Sequence, residues 1–179
     1  FIDNVLMMDT IRRWKGRFNT IDDNDATHAF RAASLGLFNG LIESKKYGVK
    51  INTAEVVSRL LCHDLVEGTT GDVLGPVKHA TPVTAAAFEA YERTEGEALI
   101  NLLPSSMRKE FHRFVVEAKD ETYEGQMVDV VDLALAVAQV DQRLHHREDV
   151  VLAQNAGRIG RIEIEAHVHL HAADGREVV

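Results

Sequence analysis

The chain has 179 residues, of which 45% are apolar, which is enough for one domain with a substantial core. Its formal net charge of −8 argues against a surface that coats nucleic-acid polymers, since such a surface needs a basic footprint. No run approaches the ~20 apolar residues that cross a bilayer, so no membrane partner is expected.

The single cysteine, Cys62, lies within an apolar helical pattern and has no intrachain partner. Buried packing is a more common role for such a thiol than nucleophilic catalysis. Without a disulfide framework, a cytoplasmic location is expected. Because amphipathic helices often keep an apolar face after packing, a homodimer is expected as well.

The spacing of apolar residues predicts helices joined by short loops, with no alternating strand pattern of useful length. A first helix is predicted over about 3–14, and a loop rich in turn residues follows it. The second helix is predicted over about 25–46, where apolar residues recur at steps of three and four. Asn52 or Thr53 then caps a third helix, which leads into His63 and Asp64.

The second half of the chain continues the helical pattern. Residues 68–80 are rich in glycine and threonine and are predicted to form a loop. Thr81-Pro82 is typical of a helix N-terminus, because the missing N–H of proline costs least in the first turn. The remaining helices are predicted over about 82–101, from about 105, and over about 122–147.

No repeat or low-complexity linker divides the chain. One all-α domain over 1–179 is therefore expected, with a helical core at about 3–147 and a C-terminal helix or tail at 148–179. The histidine-rich end of that tail, at 167–171, has no structural prediction.

Four residues form the strongest candidate site. His28 falls in the first turn of the second predicted helix, and His63 and Asp64 are adjacent near the end of the third. Asp132 lies within an apolar helical run, where an aspartate is costly to bury without a partner. A metal ion is one such partner, and a mixed set of nitrogen and oxygen ligands suits Zn, Mn, Co or Fe(II) better than Ca.

Each of these residues also has an ordinary structural interpretation. His28 is compatible with a helix-capping or surface imidazole, and Asp132 with an ion pair to Arg143 or another base. Neighbouring side chains on a helix point about 100° apart, so His63 and Asp64 reach one target only where the helix relaxes at its end. Together, the order and helix positions of the four favour a metal site between helices.

The segment after His63 adds two carboxylates and a lysine. Glu67 falls four residues after His63 and is suited to exchange a proton with a water or a leaving oxygen. An exposed glutamate at a helix end is the alternative. Asp72 follows in the loop, and Lys78 is either a phosphate contact or a solvated lysine.

The order His28, His63-Asp64, Asp132 resembles the HD-domain signature of metal-dependent phosphohydrolases. The surrounding sequence resembles the YfbR-like 5′-deoxynucleotidase family, which includes relatives called HD domain containing 2. The similarity covers most of the chain and is carried by IRRWK at 11–15, HDLVE at 63–67 and TGDVLGPVK at 70–78. The family often has Glu-His at the first ligand, where this chain has Thr27-His28.

The resemblance implies an all-α HD-type helical bundle, one bound divalent metal ion (Mn, Co, Zn, Fe or Mg), and a deoxynucleotide substrate. The implied reaction is hydrolysis of deoxynucleoside 5′-monophosphates to deoxynucleoside and phosphate. It also implies that Arg13 contacts the phosphate, that Trp14 lines the sugar pocket, and that Glu67 transfers a proton. Asp72 would assist near the nucleophile or the sugar. From its position alone, Trp14 fits a core residue of the first helix equally well.

Two other functions remain open from the sequence. Relatives of this fold include deoxynucleoside triphosphate triphosphohydrolases, which release tripolyphosphate. A non-catalytic module that senses nucleotides or metals is the second, although the retention of Glu67 and Asp72 argues against it. A cyclic-dinucleotide phosphodiesterase of the HD-GYP type is set aside, because the Gly-Tyr-Pro element is absent.

Overall fold

A computed structural model describes the backbone of residues 1–15 and 23–145, and side chains up to residue 138. The first four helices in this part of the chain are α1 (Ile2–Met7), α2 (Asp25–Lys46), α3 (Thr53–Cys62) and α4 (Glu67–Thr70). The remaining four are α5 (Gly75–Lys78), α6 (Pro82–Asn101), α7 (Ser105–Val115) and α8 (Tyr123–His145). The all-α prediction is confirmed, while the predicted C-terminal helix or tail at 148–179 lies outside the described residues.

Helix α1 is shorter than predicted. It ends at Met7, and the chain then turns, with the Thr10 hydroxyl donating to the Met7 carbonyl oxygen at 2.7 Å. The following residues pair with the segment before α2: the Arg13 N–H donates to Asp23 O at 3.1 Å, and the Asp25 N–H donates to Ile11 O at 3.2 Å. These backbone bonds replace the helical ones that the sequence pattern suggested.

The later helix boundaries follow their capping residues. Helix α3 begins after Asn52, whose side chain accepts a hydrogen bond from the Glu55 N–H at 3.3 Å. Helix α6 begins after Thr81, whose hydroxyl accepts from the Thr84 N–H at 3.0 Å. The predicted loop at 68–80 is not without helix, because it includes most of the one-turn helix α4 and all of α5, which lie between α3 and α6 along the chain.

Two apolar clusters hold the helices together. The first joins α2, α3 and α8, and consists of Ala32, Ala33, Val56, Leu60, Met127, Val128 and Val131. The second lies beside it around α6 and α7, and consists of Met8, Leu65, Val66, Leu99, Ile100 and Val115. Close approach of α2 and α3 requires a glycine, because a Cβ at Gly36 would lie 2.2 Å from Leu60 Cδ1.

None of the described helices is long and apolar enough to cross a membrane. The packing of α2, α3 and α8 brings the start of α2, the end of α3 and the middle of α8 to one place in the interior. This is where the candidate residues of the sequence meet.

Candidate active site

Two histidines from different helices face each other in the interior. His28 lies in the first turn of α2, which is capped by the Asn24 side chain, and it is fully buried. His63 is the residue at which α3 ends, and its side chain is 2% exposed. The ring centroids are 5.6 Å apart. The burial of His28 excludes a surface imidazole, and the two rings are close enough to share one small ligand.

The backbone decides which nitrogen of His63 is available. Its Nδ1 lies 2.9 Å from the carbonyl oxygen of Leu60, in the last turn of α3. Because a carbonyl oxygen only accepts hydrogen bonds, Nδ1 carries the proton and Nε2 of the neutral ring keeps its lone pair. This arrangement is typical of a histidine that binds a metal through Nε2.

Two aspartates approach the same nitrogens. Asp64, just past the end of α3, places Oδ2 3.2 Å from His63 Nε2 and 3.7 Å from His28 Nε2. Asp132, from the middle of α8, places Oδ1 3.0 Å from His28 Nε2 and 3.9 Å from His63 Nε2. The four residues predicted from the sequence are therefore brought together from three helices.

The chemistry of this cluster fits a metal ion. Nε2 of both His28 and His63 is buried, and neither makes a well-oriented hydrogen bond despite the nearby carboxylates. Buried polar atoms normally have partners, so two unpaired nitrogens aimed at the same region indicate a ligand site. One ligand atom from each of His28, His63 and Asp64 lies within 4.8 Å of the others. Imidazole nitrogens with carboxylate oxygens suit a divalent transition metal.

The two aspartates are ionised at neutral pH. Burial raises the pKa of Asp132, but its contacts with His28 and His63 and the charge of Lys119 outweigh this and hold the pKa far below its usual range. Burial likewise opposes ionisation of Asp64, yet the charge that His63 carries when its ring is protonated, and the charge of Arg13, lower its pKa. Ionised carboxylates are the form that binds a cation.

A second group of carboxylates adjoins the first. Oxygen atoms of Asp25, Asp64 and Glu67 lie within 4.8 Å of one another, and Oδ2 of Asp25 and Oε2 of Glu67 are buried without hydrogen-bond partners. Burial, followed by the charges of Asp64 and Asp25, raises the pKa of Glu67 to about 10. Before a cation binds, Glu67 is thus protonated at neutral pH, which is unlike an exposed glutamate at a helix end.

Arg13 contributes a positive charge next to this group. Its Nη1 lies 3.0 Å from Asp64 Oδ2 and 3.3 Å from Asp25 Oδ1, and its side chain is 14% exposed. Although burial opposes it, the surrounding carboxylates raise the pKa of Arg13, with Asp64 and Glu67 contributing most. The guanidinium therefore stays charged beside the cluster of His28, His63, Asp64 and Asp132.

Trp14 and Asp72 contact each other beside Arg13. The backbone N–H of Trp14 donates to Asp72 Oδ2 at 3.2 Å, and Trp14 has a φ of 65°, in the left-handed region. Trp14 lies outside α1 and is half-buried, so its interpretation as a core residue of the first helix is wrong. Asp72 also adds to the negative charge around Asp25 and Glu67.

Lys78 lies in a different environment. Its Nζ is 2.7 Å and 2.6 Å from the two carboxylate oxygens of Glu92 on α6. Lys78 therefore forms an ion pair with Glu92 that links α5 to α6.

Two residues of the site were missed in the sequence. Asp25 is fully buried and contacts Arg13. Its position three residues before His28 was an available signal, since that spacing places both on one helical face. Lys119 places Nζ 2.5 Å from Asp132 Oδ2, and occupies the position for which the sequence suggested Arg143 or another base. The side chain of Arg143 lies outside the described ones.

Comparison with known proteins assigns the chain to a family. The model of the family described as "5′-deoxynucleotidase YfbR-like" matches residues 1–149. The chain belongs to this family. A YfbR-like relative from Vibrio vulnificus, named a 5′-deoxynucleotidase, is 29% identical over 132 residues, which cover 74% of this chain and 68% of the relative. The 5′-deoxynucleotidase YfbR of Shigella boydii is 23% identical over 166 residues, covering 93% and 80%.

Solved structures show the same fold as this YfbR-like chain. An HD-domain phosphohydrolase from Listeria innocua superposes with a TM-score of 0.75 at 22% identity, covering 87% of this chain and 75% of that one. A conserved hypothetical protein from Pyrococcus furiosus gives a TM-score of 0.64 at 24% identity, covering 93% and 98%. The resemblance to the HD fold and to the YfbR-like family is confirmed.

Proposed function

We propose that this protein is a hydrolase that converts deoxynucleoside 5′-monophosphates to deoxynucleoside and orthophosphate with a bound divalent cation. The observation that carries the proposal is the convergence of His28, His63, Asp64 and Asp132 beside a largely buried arginine, Arg13, and the carboxyl group of Glu67. Membership of the YfbR-like 5′-deoxynucleotidase family supports the same reaction.

The four converging residues would hold the metal ion, through Nε2 of the two histidines and oxygens of the two aspartates. When bound, a divalent cation in such a site activates a water as nucleophile and polarises a phosphoryl oxygen. The Leu60 carbonyl supports this by fixing the tautomer of His63. Mn, Co, Zn, Fe and Mg are all candidates for the ion.

Arg13 and Glu67 supply charge and proton transfer. The guanidinium of Arg13 binds the non-bridging phosphoryl oxygens and offsets their charge, which is the main protein contribution in phosphoryl transfer. Attack of the water oxygen on phosphorus breaks the bond to the 5′-oxygen, which needs a proton to leave as a hydroxyl. Glu67 is placed to exchange this proton, since its buried carboxyl adjoins Asp64.

Trp14 and Asp72 would select the sugar. Trp14 lines the sugar pocket and disfavours a 2′-hydroxyl, while Asp72 fixes the backbone of Trp14 and assists near the nucleophile or the sugar. Lys78 is left out of the phosphate contacts in this proposal, because its ammonium is paired with both carboxylate oxygens of Glu92 on α6 and has no contact with the cluster of His28, His63, Asp64 and Asp132 among the described residues.

The test is phosphate release from dAMP, dGMP, dCMP, dTMP, dUMP, AMP and dATP, using metal-stripped protein resupplied with Mn, Co, Zn, Fe or Mg. We expect orthophosphate from the deoxymonophosphates and little from AMP. Tripolyphosphate from dATP alone would instead support a triphosphohydrolase. No release from any substrate by metal-loaded protein would support a sensing module.

We also propose a domain organisation, an oligomeric state and a cellular location for this protein. One domain over 1–179 is supported by α3, which contributes Leu60 to the first apolar cluster and packs Cys62 against the second. A homodimer is supported by four exposed apolar residues of α2, namely Phe30, Leu37, Phe38 and Leu41. A cytoplasmic location is supported by the lone Cys62, which is a free thiol.

A further inference from the structure

Lys119 lies at the edge of the metal-type cluster, in the connection between α7 and α8. Its Nζ is 2.5 Å from Asp132 Oδ2 and 3.9 Å from Asp129 Oδ1. Asp132 directs its other oxygen, Oδ1, at His28 Nε2 from 3.0 Å. The ammonium is therefore separated from the histidine nitrogens by a single carboxylate group.

The site has a second cation, which contacts a different side of the cluster. Arg13 contacts Asp64 and Asp25, whereas Lys119 contacts Asp132. The side chain of Arg13 is 14% exposed and that of Lys119 is 38% exposed. Lys119 is thus the more accessible of the two to a ligand that enters from solvent.

Carboxylates are dense in this part of the molecule. Those of Asp25, Asp64 and Asp72 act on Arg13, and that of Asp132 acts on Asp64, so a second cation beside a bound metal ion and Arg13 would favour a phosphate dianion here. A lysine ammonium has three N–H donors, so its contact with Asp132 leaves others for phosphoryl oxygens. Lysine is a common phosphate ligand because it acts as a compact point charge.

We propose that Lys119 is a phosphate-binding residue, which contacts the phosphoryl group from the Asp132 side while Arg13 contacts it from the Asp64 side. The proposal rests on the proposed function for the nature of the ligand, a phosphomonoester. It gives Lys119 the role that the sequence had suggested for Lys78.

The experiment compares wild type, Lys119→Met and Lys119→Arg, with Lys109→Met on the exposed surface of α7 as the matched control. Inorganic phosphate binding to Mn²⁺-saturated protein is measured by the paramagnetic relaxation of ³¹P. The dissociation constant of Mn²⁺ is measured by the electron paramagnetic resonance signal of the free ion. Both readouts are independent of turnover, and KM for a deoxymonophosphate is added for active protein.

We expect Lys119→Met to weaken phosphate binding and raise KM by about tenfold or more, as for loss of one charge-assisted hydrogen bond. The Mn²⁺ dissociation constant should stay within about threefold of wild type. Lys119→Arg should bind phosphate more tightly than Lys119→Met, and Lys109→Met should match wild type. Should Lys119→Met fail to fold by circular dichroism, Lys119→Gln replaces it, since its amide keeps a hydrogen-bond donor without the positive charge.

Two results would overturn the proposal. If Lys119→Met weakens Mn²⁺ binding about 10- to 100-fold and leaves phosphate binding unchanged, Lys119 only positions Asp132. If neither constant changes, Lys119 has no role at the site. A wild-type protein that binds phosphate but hydrolyses no deoxymonophosphate refutes the proposed function alone, because phosphate binding still tests Lys119.

Discussion

At the scale of single residues, Asp64 belongs to both groups of side chains that make up the site. Its Oδ2 lies 3.0 Å from Arg13 Nη1, 3.2 Å from His63 Nε2 and 3.7 Å from His28 Nε2. Asp64 also belongs with Asp25 and Glu67 to the second carboxylate group. The residue therefore links the candidate metal ligands to the candidate phosphate and proton-transfer residues.

Loss of Asp64 should remove the metal and the activity together. In Asp64→Ala, we expect metal affinity and kcat/KM for a deoxymonophosphate to fall by more than about 100-fold, because even indirect supports of a metal site are worth 10- to 100-fold. Metal content after dialysis and phosphate release measure the two effects. Glu110→Ala, an exposed carboxylate of α7, serves as control. Wild-type turnover with bound metal in Asp64→Ala would contradict the assignment.

Removing the charge of Asp25 should lower the raised pKa of Glu67 more than removing the charge of Asp72. The charge of Asp25 raises this pKa more than that of Asp72 does. In metal-free protein, Asp25→Asn should therefore move the Glu67 titration to lower pH from about 10, and Asp72→Asn should move it less. Carboxyl ¹³C chemical shifts of labelled protein follow this titration. An unchanged midpoint in Asp25→Asn would show that Asp25 is not a source of the shift.

The sequence predicted His28 and Asp132 as site residues but not Lys119, and the difference has a physical reason. His28 and Asp132 stood out because a charged or titratable side chain in an apolar helical stripe requires a partner. Lys119 did not, since it lies in a connecting segment whose position depends on the packing of α7 and α8. Lys78 appeared suitable for phosphate until the structure placed Glu92 against it.

At the scale of helices, the connection between α7 and α8 is held by a buried arginine of α3. Arg59 is 1% exposed, and it donates to Glu55 Oε1 at 2.7 Å and to Asp120 Oδ1 at 2.8 Å. It also donates to the carbonyl oxygens of Glu117 and Ala118, at 2.9 Å and 3.3 Å. Arg59 thereby fixes the segment that carries Lys119.

Replacement of Arg59 should destabilise the fold in a pH-dependent way. Arg59→Met removes the ion pairs with Glu55 and Asp120 and the donor to the Glu117 and Ala118 carbonyl oxygens, so we expect the free energy of unfolding at pH 7 to fall by about 2 kcal/mol. Although burial opposes it, contacts with Arg59 lower the pKa of Glu55 and Asp120 in the folded state.

The stabilisation by these two carboxylates is therefore present above their unfolded pKa of about 4, and it is lost as pH falls through the folded values. Denaturant unfolding at pH 7 and pH 3 should show the difference between Arg59→Met and wild type becoming smaller at pH 3. Arg93→Met, at an exposed position of α6, should change stability by less than about 0.5 kcal/mol. A pH-independent difference would contradict the role of the carboxylates.

Helix boundaries show how far local sequence determines these elements. The bounds of α2 were predicted correctly from its apolar periodicity. The side that it buries was not, because Phe30, Leu37 and Leu41 of the periodic pattern are exposed, whereas small residues such as Ala32 and Gly36 face the core. The predicted end of α1 was wrong. The segment after α1 forms backbone hydrogen bonds with the segment at the start of α2, from Arg13 N–H to Asp23 O and from Asp25 N–H to Ile11 O, in place of helical ones. Local patterns carry no information about such pairing.

At the scale of the whole molecule, packing among the described residues leaves an apolar surface on one side of α2. Phe30 is 69% exposed and Phe38 is 59% exposed, and Leu37 and Leu41 continue the surface along the helix. Exposed apolar side chains in one contiguous group are typical of protein interfaces. The homodimer proposed above would form through this surface.

A charge placed on this surface should dissociate the dimer without unfolding the protomer. We expect Phe38→Glu to elute as a monomer in size-exclusion chromatography with light scattering, because a carboxylate in an apolar interface loses its hydration. The helical circular dichroism spectrum should be retained. Val83→Glu, at a 79% exposed position of α6, should leave the oligomeric state unchanged. A Phe38→Glu protein that remains dimeric places the interface elsewhere.

The candidate metal ligands come from α2, the end of α3 and α8, and this separation along the chain has a consequence for folding. Bringing His28 and Asp132 together closes the long chain segment between them, which has an entropic cost. The two residues therefore meet only after the three helices have packed. A cation held by these residues would therefore bind the native state and not the open chain, and we expect it to stabilise the protein by about 2.7 kcal/mol at a hundredfold excess over its dissociation constant. Amide hydrogen exchange in the cores of α2 and α8 then slows as metal is added, and chelation exposes both helices to proteolysis at the same rate.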